Sequence, residues 1–269
     1  MQSEMGKTRG LLRPTAGKQK FQLARYLPSP DLSFFVQRYW VVRWDLRGDK
    51  PYVQENLTYP CVNLVFEQDK TRIYGVESSR SSILLRDLGH VLGIKFRPGA
   101  FYPFVKYPVS ELTDRTLTLE EVFGVNSQML EAAILPLADD KAMVNAAENF
   151  LREHLPPQDE TVTEINRIVE MIITQRDIHK VDDLLPQLDM SKRTLQRLFK
   201  QYVGVPPKWV IQQYRLHEAV DQLADHDSPN GSRMAADLGY FDQAHFIKDF
   251  KRIVGKTPEQ YARTLGFDA

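Results

Sequence analysis

Hydrophobic residues recur every three to four positions between residues 188 and 205, and this spacing predicts an amphipathic helix. Its apolar face carries Leu195, Leu198, Phe199 and Tyr202. The hydroxyl of Ser191, just before the pattern, can accept a hydrogen bond from a first-turn amide, and Gly204 ends the helix. The opposite face is mostly basic. A solvated surface helix has the same pattern, so the neighbouring segments decide its interpretation.

Short helices predicted on either side place this segment in a repeated arrangement. Apolar positions at 181–188 predict a short helix, and a polar break at 189–191 separates it from the basic helix. Helix, tight turn and basic helix together predict a helix-turn-helix, whose second helix enters the major groove of DNA. A second unit follows, with a short helix at 234–238, a turn at 239–241 and a helix at Gln243–Val254.

One long helix is predicted between the two units. Pro207 lies in its first turn, where the missing N–H costs no hydrogen bond, and the pattern continues to Ala224. At 1.5 Å per residue this helix would be roughly 27 Å long. A rigid spacer of this size can set two helices on one face of DNA about one helical turn, ~34 Å, apart. Asp242 is the predicted N-cap of the last of these helices.

Charge is unevenly distributed, although the chain has 35 basic and 35 acidic residues and no net charge. Residues 190–217 include no Asp or Glu and contain Lys192, Arg193, Arg197, Lys200, Lys208 and Arg215. A second basic cluster consists of Lys248, Lys251, Arg252 and Lys256, with Asp249 among them. Because DNA binding depends on local contacts with phosphates, overall neutrality does not exclude it.

Residues 181–261 resemble the DNA-binding domain of the AraC/XylS family of bacterial transcription regulators. The positions that carry the resemblance are Ser191, Leu195, Arg197, Phe199, Lys200, Gly204, Pro207, Arg215, Ala219, Leu223, Ala235, Gly239, Phe246, Phe250, Lys251, Gly255, Thr257, Pro258 and Tyr261. The closing pattern FxxxFKxxxGxTPxxY is long and fixed in spacing, which makes it specific. The resemblance implies a domain with two helix-turn-helix motifs that bind DNA.

Two departures from the family pattern concern the short first helices and not the basic surfaces. Leu185 replaces the usual Ala, and Pro186 follows inside the helix, where it removes a hydrogen bond and predicts a kink or a delayed helix. In the second unit Gly231, after Asn230, replaces an aliphatic residue and costs about 1 kcal/mol of helix preference. We therefore expect the second unit to be the looser one.

The resemblance also identifies an exposed recognition surface, whose Arg, Lys and Gln side chains can pair with guanine and adenine. The base-reading residues predicted in this way are Lys192, Arg193, Gln196, Arg197, Gln243, Ala244, His245, Ile247 and Lys248. The residues predicted to contact phosphates are Lys200, Lys251 and Arg252. Because Ala244 and Ile247 could meet only thymine methyl groups, the second unit should read DNA less sharply than the first.

The N-terminal half has the composition and alternation of short strands. Strands are predicted at 38–46, 63–67, 71–76, 82–85 and 90–97. Closely spaced strands without long helices between them favour an antiparallel barrel or sandwich. Helices are predicted at 32–36, 119–123 (after the cap Thr118), 127–137 and 141–155, and a turn or helix at 101–105. The sequence therefore predicts an α+β protein.

Composition divides the chain into three parts. Residues 1–20 are polar and basic without periodicity, and they predict a flexible arm. The Pro-Pro-Gln-Asp-Glu segment at 156–160 is the clearest linker, so a β-rich regulatory domain is expected at 21–155. The DNA-binding domain is expected at 160–266, with a first helix at 161–174 and helix-turn-helix motifs at about 181–203 and 232–254.

The β-rich part resembles, more loosely, the N-terminal regulatory domain of a subset of the same regulators. The similar stretches are WVV, YPCVNLVFE, YGVESSR and GIKFRPGAFYPF. The resemblance implies a cupin-like barrel with a small-molecule pocket and a dimer interface on its outer helices. Candidate pocket residues are Trp40, Trp44, Tyr59, Phe66, Tyr74, Arg97 and Tyr102. A filled core without ligand, a dimerising role and a partner-protein sensor remain alternatives.

Motifs of common enzyme classes are absent from the sequence, namely GxGxxG, GxxxxGK[ST], GxSxG and HExxH. No catalytic residue, metal site or cofactor is predicted, since the six histidines lie apart and His90 alone falls in the predicted strands. The single cysteine, Cys61, permits no internal disulfide and is expected in the core. No run of 18 apolar residues and no signal-peptide core occur, so a cytoplasmic protein without membrane contact is expected.

Together these features predict a sequence-specific transcription regulator of the AraC/XylS type, which reads two successive major-groove segments of double-stranded DNA. A small-molecule effector in the N-terminal domain is expected, and homodimer formation and contact with RNA polymerase are left open. The alternative is a ligand-binding or adaptor protein whose helical domain no longer reads DNA. A cupin-type enzyme fused to a helical domain comes third.

Overall fold

The computed structural model of the chain describes residues 12, 17, 19–225 and 231–265, without the side chains of residues 225, 231 and 232. Most of the predicted basic arm at 1–20 therefore lies outside the described residues. So do Asn230, the side chain of Gly231 and residue 266 at the predicted end of the second domain.

In the part of the N-terminal half that the structure describes, eight strands form two antiparallel sheets. The strands are β1 (Gln22–Tyr26), β2 (Val36–Asp45), β3 (Tyr52–Asn56), β4 (Asn63–Phe66), β5 (Arg72–Tyr74), β6 (Ser81–Leu85), β7 (Leu88–Phe96) and β8 (Thr116–Leu117). The larger sheet has the order β1-β2-β7-β4-β5-β8, and β3 pairs with β6 in the smaller one. The predicted antiparallel α+β class is confirmed, whereas the cupin-like character of the barrel stays a prediction.

Alternation along the two central strands gives the larger sheet two different faces. On β7, Leu92, Ile94 and Phe96 are fully buried on one face, and Val91, Gly93 and Lys95 lie on the other. The side chains of β2 divide in the same way after a register shift between Val36 and Arg38. One face therefore packs against helices, and the other faces the smaller sheet across a cavity.

Helices and turns after β7 cover the apolar face of the larger sheet. They are α1 (Tyr102–Val105), a 3-10 turn (Val109–Glu111), α2 (Leu119–Phe123), α3 (Ser127–Ile134) and α4 (Asp140–Glu153). The predicted cap Thr118 accepts a hydrogen bond from the amide of Glu121. Asp140 ties α4 to the sheet, because its carboxylate accepts from Tyr26 and pairs with Arg43 at 2.7 Å.

One predicted helix and three strands that were not predicted distinguish the sequence analysis from the structure. Residues 32–36 were predicted as a short helix, but residues 32–35 form hydrogen-bonded turns and Val36, whose amide donates to the carbonyl of Leu32, begins β2. Strands β1, β3 and β8 were not predicted. β1 and β3 are short and rich in polar residues, and their place at or beside an edge leaves one side of each strand exposed.

The C-terminal half is helical. Its helices are α5 (Glu160–Thr174), α6 (Val181–Leu184), α7 (Lys192–Leu198), α8 (Pro207–Asp225), α9 (Gly231–Asp237), α10 (Gln243–Val254) and α11 (Pro258–Thr264). Pro186 has the predicted effect, since α6 stops at Leu184 and a 3-10 turn (Leu185–Gln187) follows. α7 continues as a wider π-type turn (Phe199–Val203), which was not predicted.

The described residues form two hydrophobic cores of unequal size and a third, small cluster of Phe21, Leu46 and Leu85. The larger core begins in the β-sheet, passes through α4 and α5, and includes Leu195, Phe199 and Ile211 of the first helix-turn-helix unit and α8. The smaller core joins the second half of α8 to α9, α10 and α11, with Phe246 and Phe250 fully buried, and it also contains Leu12 and Leu57. The first unit thus shares the sheet's own core, whereas the β-rich half reaches the core of the second unit through Leu57.

Candidate nucleic-acid interface and ligand cavity

Helix α7 holds the predicted basic surface of the first unit. The hydroxyl of Ser191 accepts a hydrogen bond from the amide of Thr194 at 3.2 Å, which confirms this residue as the N-cap. Leu195 and Phe199 are fully buried, and Gly204 ends the segment with a positive φ of 94°. The exposed side chains are Lys192, Arg193, Gln196, Arg197 and Lys200. Burial of one face therefore leaves the whole predicted reading surface of this unit in solvent.

Lys192 differs from the other cations of this surface. Its ammonium lies 2.8 Å from the carboxylate of Asp182 on α6, so it connects the two helices of the unit. Within the described residues, Arg193, Arg197 and Lys200 make no ion pair. An exposed pair such as Lys192–Asp182 contributes at most about 1 kcal/mol, so a phosphate can replace the carboxylate at low cost.

Helix α10 holds the matching surface of the second unit. The carboxylate of Asp242 accepts a hydrogen bond from the amide of His245 at 2.7 Å, which confirms the predicted cap. The exposed side chains are Gln243, Ala244, His245, Lys248, Lys251 and Arg252. Ile247 is half-buried and packs against the smaller core, so less of it than predicted is available to a thymine methyl group.

Asp249 has a structural role that the sequence analysis did not assign. It is 8% exposed, and its carboxylate accepts a hydrogen bond from Gln212 of α8 at 3.2 Å. The same carboxylate lies 3.6 Å from His245 and 3.4 Å from Arg252. Asp249 thus fixes α10 to α8 and orients two side chains of the predicted DNA surface.

Arg215 does not belong to the basic surface with which it was grouped. It is 3% exposed, and its guanidinium donates to the carbonyls of Ile172, Gln175 and Ile178 and pairs with Glu218. These carbonyls lie at and beyond the end of α5, where the helix leaves them without partners. Arg215, on α8, therefore caps the C-terminal end of α5. Its buried side chain does not contribute to the exposed basic surface of residues 190–217.

A cavity of about 540 Å³ lies between the two sheets of the β-rich half. Its walls come from the second face of the larger sheet, from β3 and β6, and from the loop at residues 57–61. Among its lining residues are the predicted pocket residues Trp40, Trp44, Tyr59 and Tyr74. The volume suits one small ligand.

The other three predicted pocket residues lie elsewhere. Phe66 is fully buried in the larger core, because β4 turns its side chain to the helical face of the sheet. Arg97 donates to the carbonyl of Ser33 at 2.7 Å, outside the cavity. Tyr102, at the start of α1, packs its ring 4.1 Å from that of Tyr202 and accepts a hydrogen bond from Gln201. Their assignment to the pocket was wrong.

Lys95 is the least exposed charged residue of the cavity wall. It is 7% exposed, and its ammonium lies 3.3 Å from the centre of the Tyr59 ring. Burial lowers the pKa of Lys95 to about 8. Burial also raises the pKa of the neighbouring Cys61 thiol, which lies in the core as predicted. The cavity therefore combines an apolar wall with a buried amine.

The loop at 57–61 connects the cavity to α8. The carbonyl of Thr58 accepts hydrogen bonds from the side chains of Gln213 and His217, both at 2.9 Å. The ring of Tyr59 stacks on that of His217, with the centroids 4.2 Å apart and an angle of 26° between the planes. One face of Tyr59 thus meets the cavity amine, and its ring also contacts the helix between the two units.

Two family models match parts of the chain. Residues 24–118 match a model described as a domain of unknown function (DUF6597), and residues 184–264 match a model described as a helix-turn-helix domain. The first match includes the strands that line the cavity. The second begins at the end of α6 and includes both units.

Curated relatives are similar to about a third of the chain. The raffinose operon transcriptional regulatory protein RafR of Pediococcus pentosaceus is 32% identical over 84 residues, 31% of this chain and 30% of that protein. The F1 operon positive regulatory protein of Yersinia pestis is 34% identical over 101 residues, 38% of this chain and 33% of that protein. The similarity spans about a third of the length of these relatives.

Solved structures of similar chains give weak overall superpositions. An AraC-type DNA-binding domain protein from Chromobacterium violaceum is 21% identical, with a TM-score of 0.33, and covers 40% of this chain and 99% of its own. ToxT from Vibrio cholerae is 13% identical, with a TM-score of 0.40, and covers 91% of this chain and 98% of its own. At these scores neither superposition supports a functional argument.

Metal-binding clusters and membrane-spanning helices are both absent from residues 19–225, 231–265 and the isolated described positions. No group of three or more His, Cys, Asp or Glu side chains there could hold a metal ion. No helix in the same ranges has both the length and the apolar character that crossing a membrane requires.

Proposed function

We propose that the protein is a sequence-specific DNA-binding transcription regulator, whose helix-turn-helix domain is of the AraC/XylS type. The observation that carries the proposal is the pair of capped helices α7 and α10, each with a buried apolar face and an exposed basic face. Both pack against α8, which is 19 residues long and mostly buried. At 1.5 Å per residue α8 is about 28 Å long, which suits two neighbouring major-groove segments.

We assign the base contacts mainly to the first unit. Arg193, Gln196 and Arg197 are exposed on α7, and the two arginines have no acid partner among the described residues. In the second unit Ala244 has no polar side-chain group and Ile247 is half-buried, so Gln243, His245 and Lys248 carry its direct reading. We assign Lys200, Lys251 and Arg252 to phosphates.

We further propose that a small molecule in the cavity between the sheets controls DNA binding. The support is the loop at 57–61, because its Thr58 and Tyr59 contact both the cavity and α8. A ligand that moves this loop would act on the helix that holds both reading units. Under this proposal the chain has no catalytic role, its β-rich domain spans 21–155, and its DNA-binding domain begins at 160. Homodimer formation and contact with RNA polymerase stay predictions.

Selection of binding sites from random duplex DNA, followed by titration at two salt concentrations, tests the proposal. We expect a motif with two elements about one helical turn apart and an affinity that falls steeply with salt. Arg47→Ala, in the turn after β2, is a matched control that removes an exposed arginine far from both units. Weak binding that is blind to sequence, in the presence of cell extract to supply a ligand, would favour a ligand-binding or adaptor protein instead.

A further inference from the structure

The floor of the cavity is unusually flat because two glycines lie opposite two tryptophans. In the register of β2 and β7, Trp40 pairs with Gly93 and Trp44 pairs with Gly89. A Cβ atom at either glycine would collide with the facing indole, so each indole lies directly on the backbone of β7. Val42 lies between the two indoles. The floor is therefore apolar and wide enough to support a planar ring system.

At one end of this floor Lys95 is a buried cation without an anion. It follows Gly93 by two positions on the same face of β7, and within the described residues its ammonium makes no hydrogen bond or ion pair. Arg38 occupies the directly opposite position on β2, and like charges opposite one another destabilise a sheet. Burying a charge costs free energy unless it is paired, so this position favours a bound anion.

Two more polar groups at the cavity wall lack partners. The indole N–H of Trp40 makes no hydrogen bond within the described residues, and Trp40 lies opposite Gly93, two positions from Lys95. From the smaller sheet, the side-chain oxygen of Asn56 is buried without a hydrogen-bond partner. The anionic end of a ligand can accept from the donors Trp40 and Lys95 of the larger sheet, whereas the Asn56 oxygen, an acceptor, requires a donor such as a ligand hydroxyl group.

We propose that the cavity binds a small planar organic anion, whose ring lies on Trp40 and Trp44 and whose negative group pairs with Lys95. The chemistry fits an aromatic carboxylate or an aryl phosphate, since both present a flat apolar body and a compact anionic end. The site itself stands on the cavity geometry. Its regulatory meaning rests on the proposed function, because an anion would draw the ammonium away from Tyr59, and Tyr59 stacks on His217 of α8.

The test uses 8-anilinonaphthalene-1-sulfonate, a fluorescent planar anion, with the full-length protein. Two of the three tryptophans, Trp40 and Trp44, line the cavity, so a probe bound there should quench tryptophan emission, and loss of this quenching in Val42→Phe would assign the signal to the cavity. We expect Lys95→Met to weaken binding at least about tenfold, since a hydrogen-bonded charge pair is lost. Lys50→Met, which removes an exposed lysine in the turn after β2, should leave binding unchanged.

Competition by three naphthalene compounds identifies the anionic group. We expect 2-naphthoate or 2-naphthyl phosphate to displace the probe from the wild-type protein, and the better of the two defines the class. The neutral 2-naphthamide should displace the probe only weakly from the wild-type protein. Its affinity for Lys95→Met should be no lower than its affinity for the wild-type protein. Val42→Phe places a ring between the two indoles and should abolish binding of the probe, which keeps the test available if Lys95→Met does not fold.

Equal probe affinity in the wild-type protein and Lys95→Met, equal competition by the amide and the anions, or no binding to the folded wild-type protein would overturn the proposal. DNA binding is measured on the same samples. A protein that binds selected DNA but not the probe would refute the anion site and leave the regulator function intact. A protein that binds the probe at Lys95 but binds no DNA would support the anion site and refute the regulator function.

Discussion

The two helix-turn-helix units have the same plan but are held in different ways. The first shares the larger core with the β-sheet, and three hydrogen bonds fix its last turn to its surroundings: Thr113 to the Gly204 carbonyl, Gln201 to Tyr102, and Tyr202 to Asp159. The second packs on the smaller core, to which the β-rich half contributes Leu57, and Arg80 donates a hydrogen bond to the carbonyl of Val254. The difference indicates that the β-rich half and the first unit form one body, the first body, whereas the second unit forms a second body, attached mainly through α8 and Leu57.

Truncation of one core phenylalanine in each unit should show whether the two bodies unfold independently. Phe199 and Phe250 are both fully buried, so replacing either by Ala should cost about 3–5 kcal/mol. Phe199→Ala should speed amide hydrogen exchange in β7 and α7 together, whereas Phe250→Ala should speed it in α9–α11 and leave β7 protected. If Phe250→Ala loosens β7 to the same extent, the two cores unfold as one.

Replacing Arg215 should destabilise the first body through unpaired groups and not through lost DNA contacts. Arg215→Met leaves the carbonyls of Ile172, Gln175 and Ile178 without their donor, with an expected loss of about 3 kcal/mol in the free energy of unfolding. Denaturant titration measures it. Arg197→Met, on the exposed face of α7, is the matched control and should change stability by less than about 0.5 kcal/mol.

Alkaline pH should increase the stability of the first body, the β-rich half with the first unit, through Lys95. The pKa of Lys95 is lowered from 10.5 to about 8, so between these values the folded protein binds fewer protons than the unfolded chain and stability rises with pH. The gain is at most about 3 kcal/mol. It should appear as the difference between the wild-type protein and Lys95→Met in thermal unfolding, since other titrating groups, including the Cys61 thiol, are common to both. A constant difference from pH 7 to 10 contradicts this expectation.

Substitutions on the two exposed surfaces should have smaller effects of different kinds. Arg197→Ala should weaken binding to the selected site by ~1–3 kcal/mol and relax specificity at one base position. Arg252→Ala should weaken binding to all sequences about equally and reduce the salt slope by ~1. Titrations of selected and scrambled duplexes separate the two outcomes. An unchanged affinity of Arg197→Ala for the selected site would remove it from the base-reading residues.

Local signals predicted the helical half well. The cap residues Ser191 and Asp242, the terminator Gly204 and the break at Pro186 act on the backbone within a few residues, so their effects can be read directly from sequence. Arg215 and Asp249 could not be read in this way, because their partners lie about forty residues away on other helices. A charged residue on a predicted helix gives no sign of whether such a partner exists.

The cavity was harder to predict because both faces of the larger sheet carry large apolar residues. Alternation of side chains along a strand puts Phe66 and Trp40 each on one face of the sheet, but it does not indicate which face packs against the helices and which lines the cavity. The flat floor has a sequence signal that was missed. Gly89 and Gly93, four positions apart on one strand, match Trp44 and Trp40, four positions apart on the next. The buried position of Lys95, two residues after Gly93 on the same strand, was not predicted because a lysine in a strand is commonly solvated.

Because the two units are joined by the helix α8, the number of residues between them fixes both their separation and their relative orientation. One residue added within it would turn the second unit by about 100° and move it by about 1.5 Å, which would take α10 off the DNA face that α7 reads. An insertion of about seven residues, two full turns, restores the orientation but moves α10 by ~10 Å, about three base pairs, along a DNA whose major groove returns to the same face only every ~34 Å. Among proteins built on this plan, the length of this helix should therefore be held fixed, and insertions in it should be far rarer than substitutions.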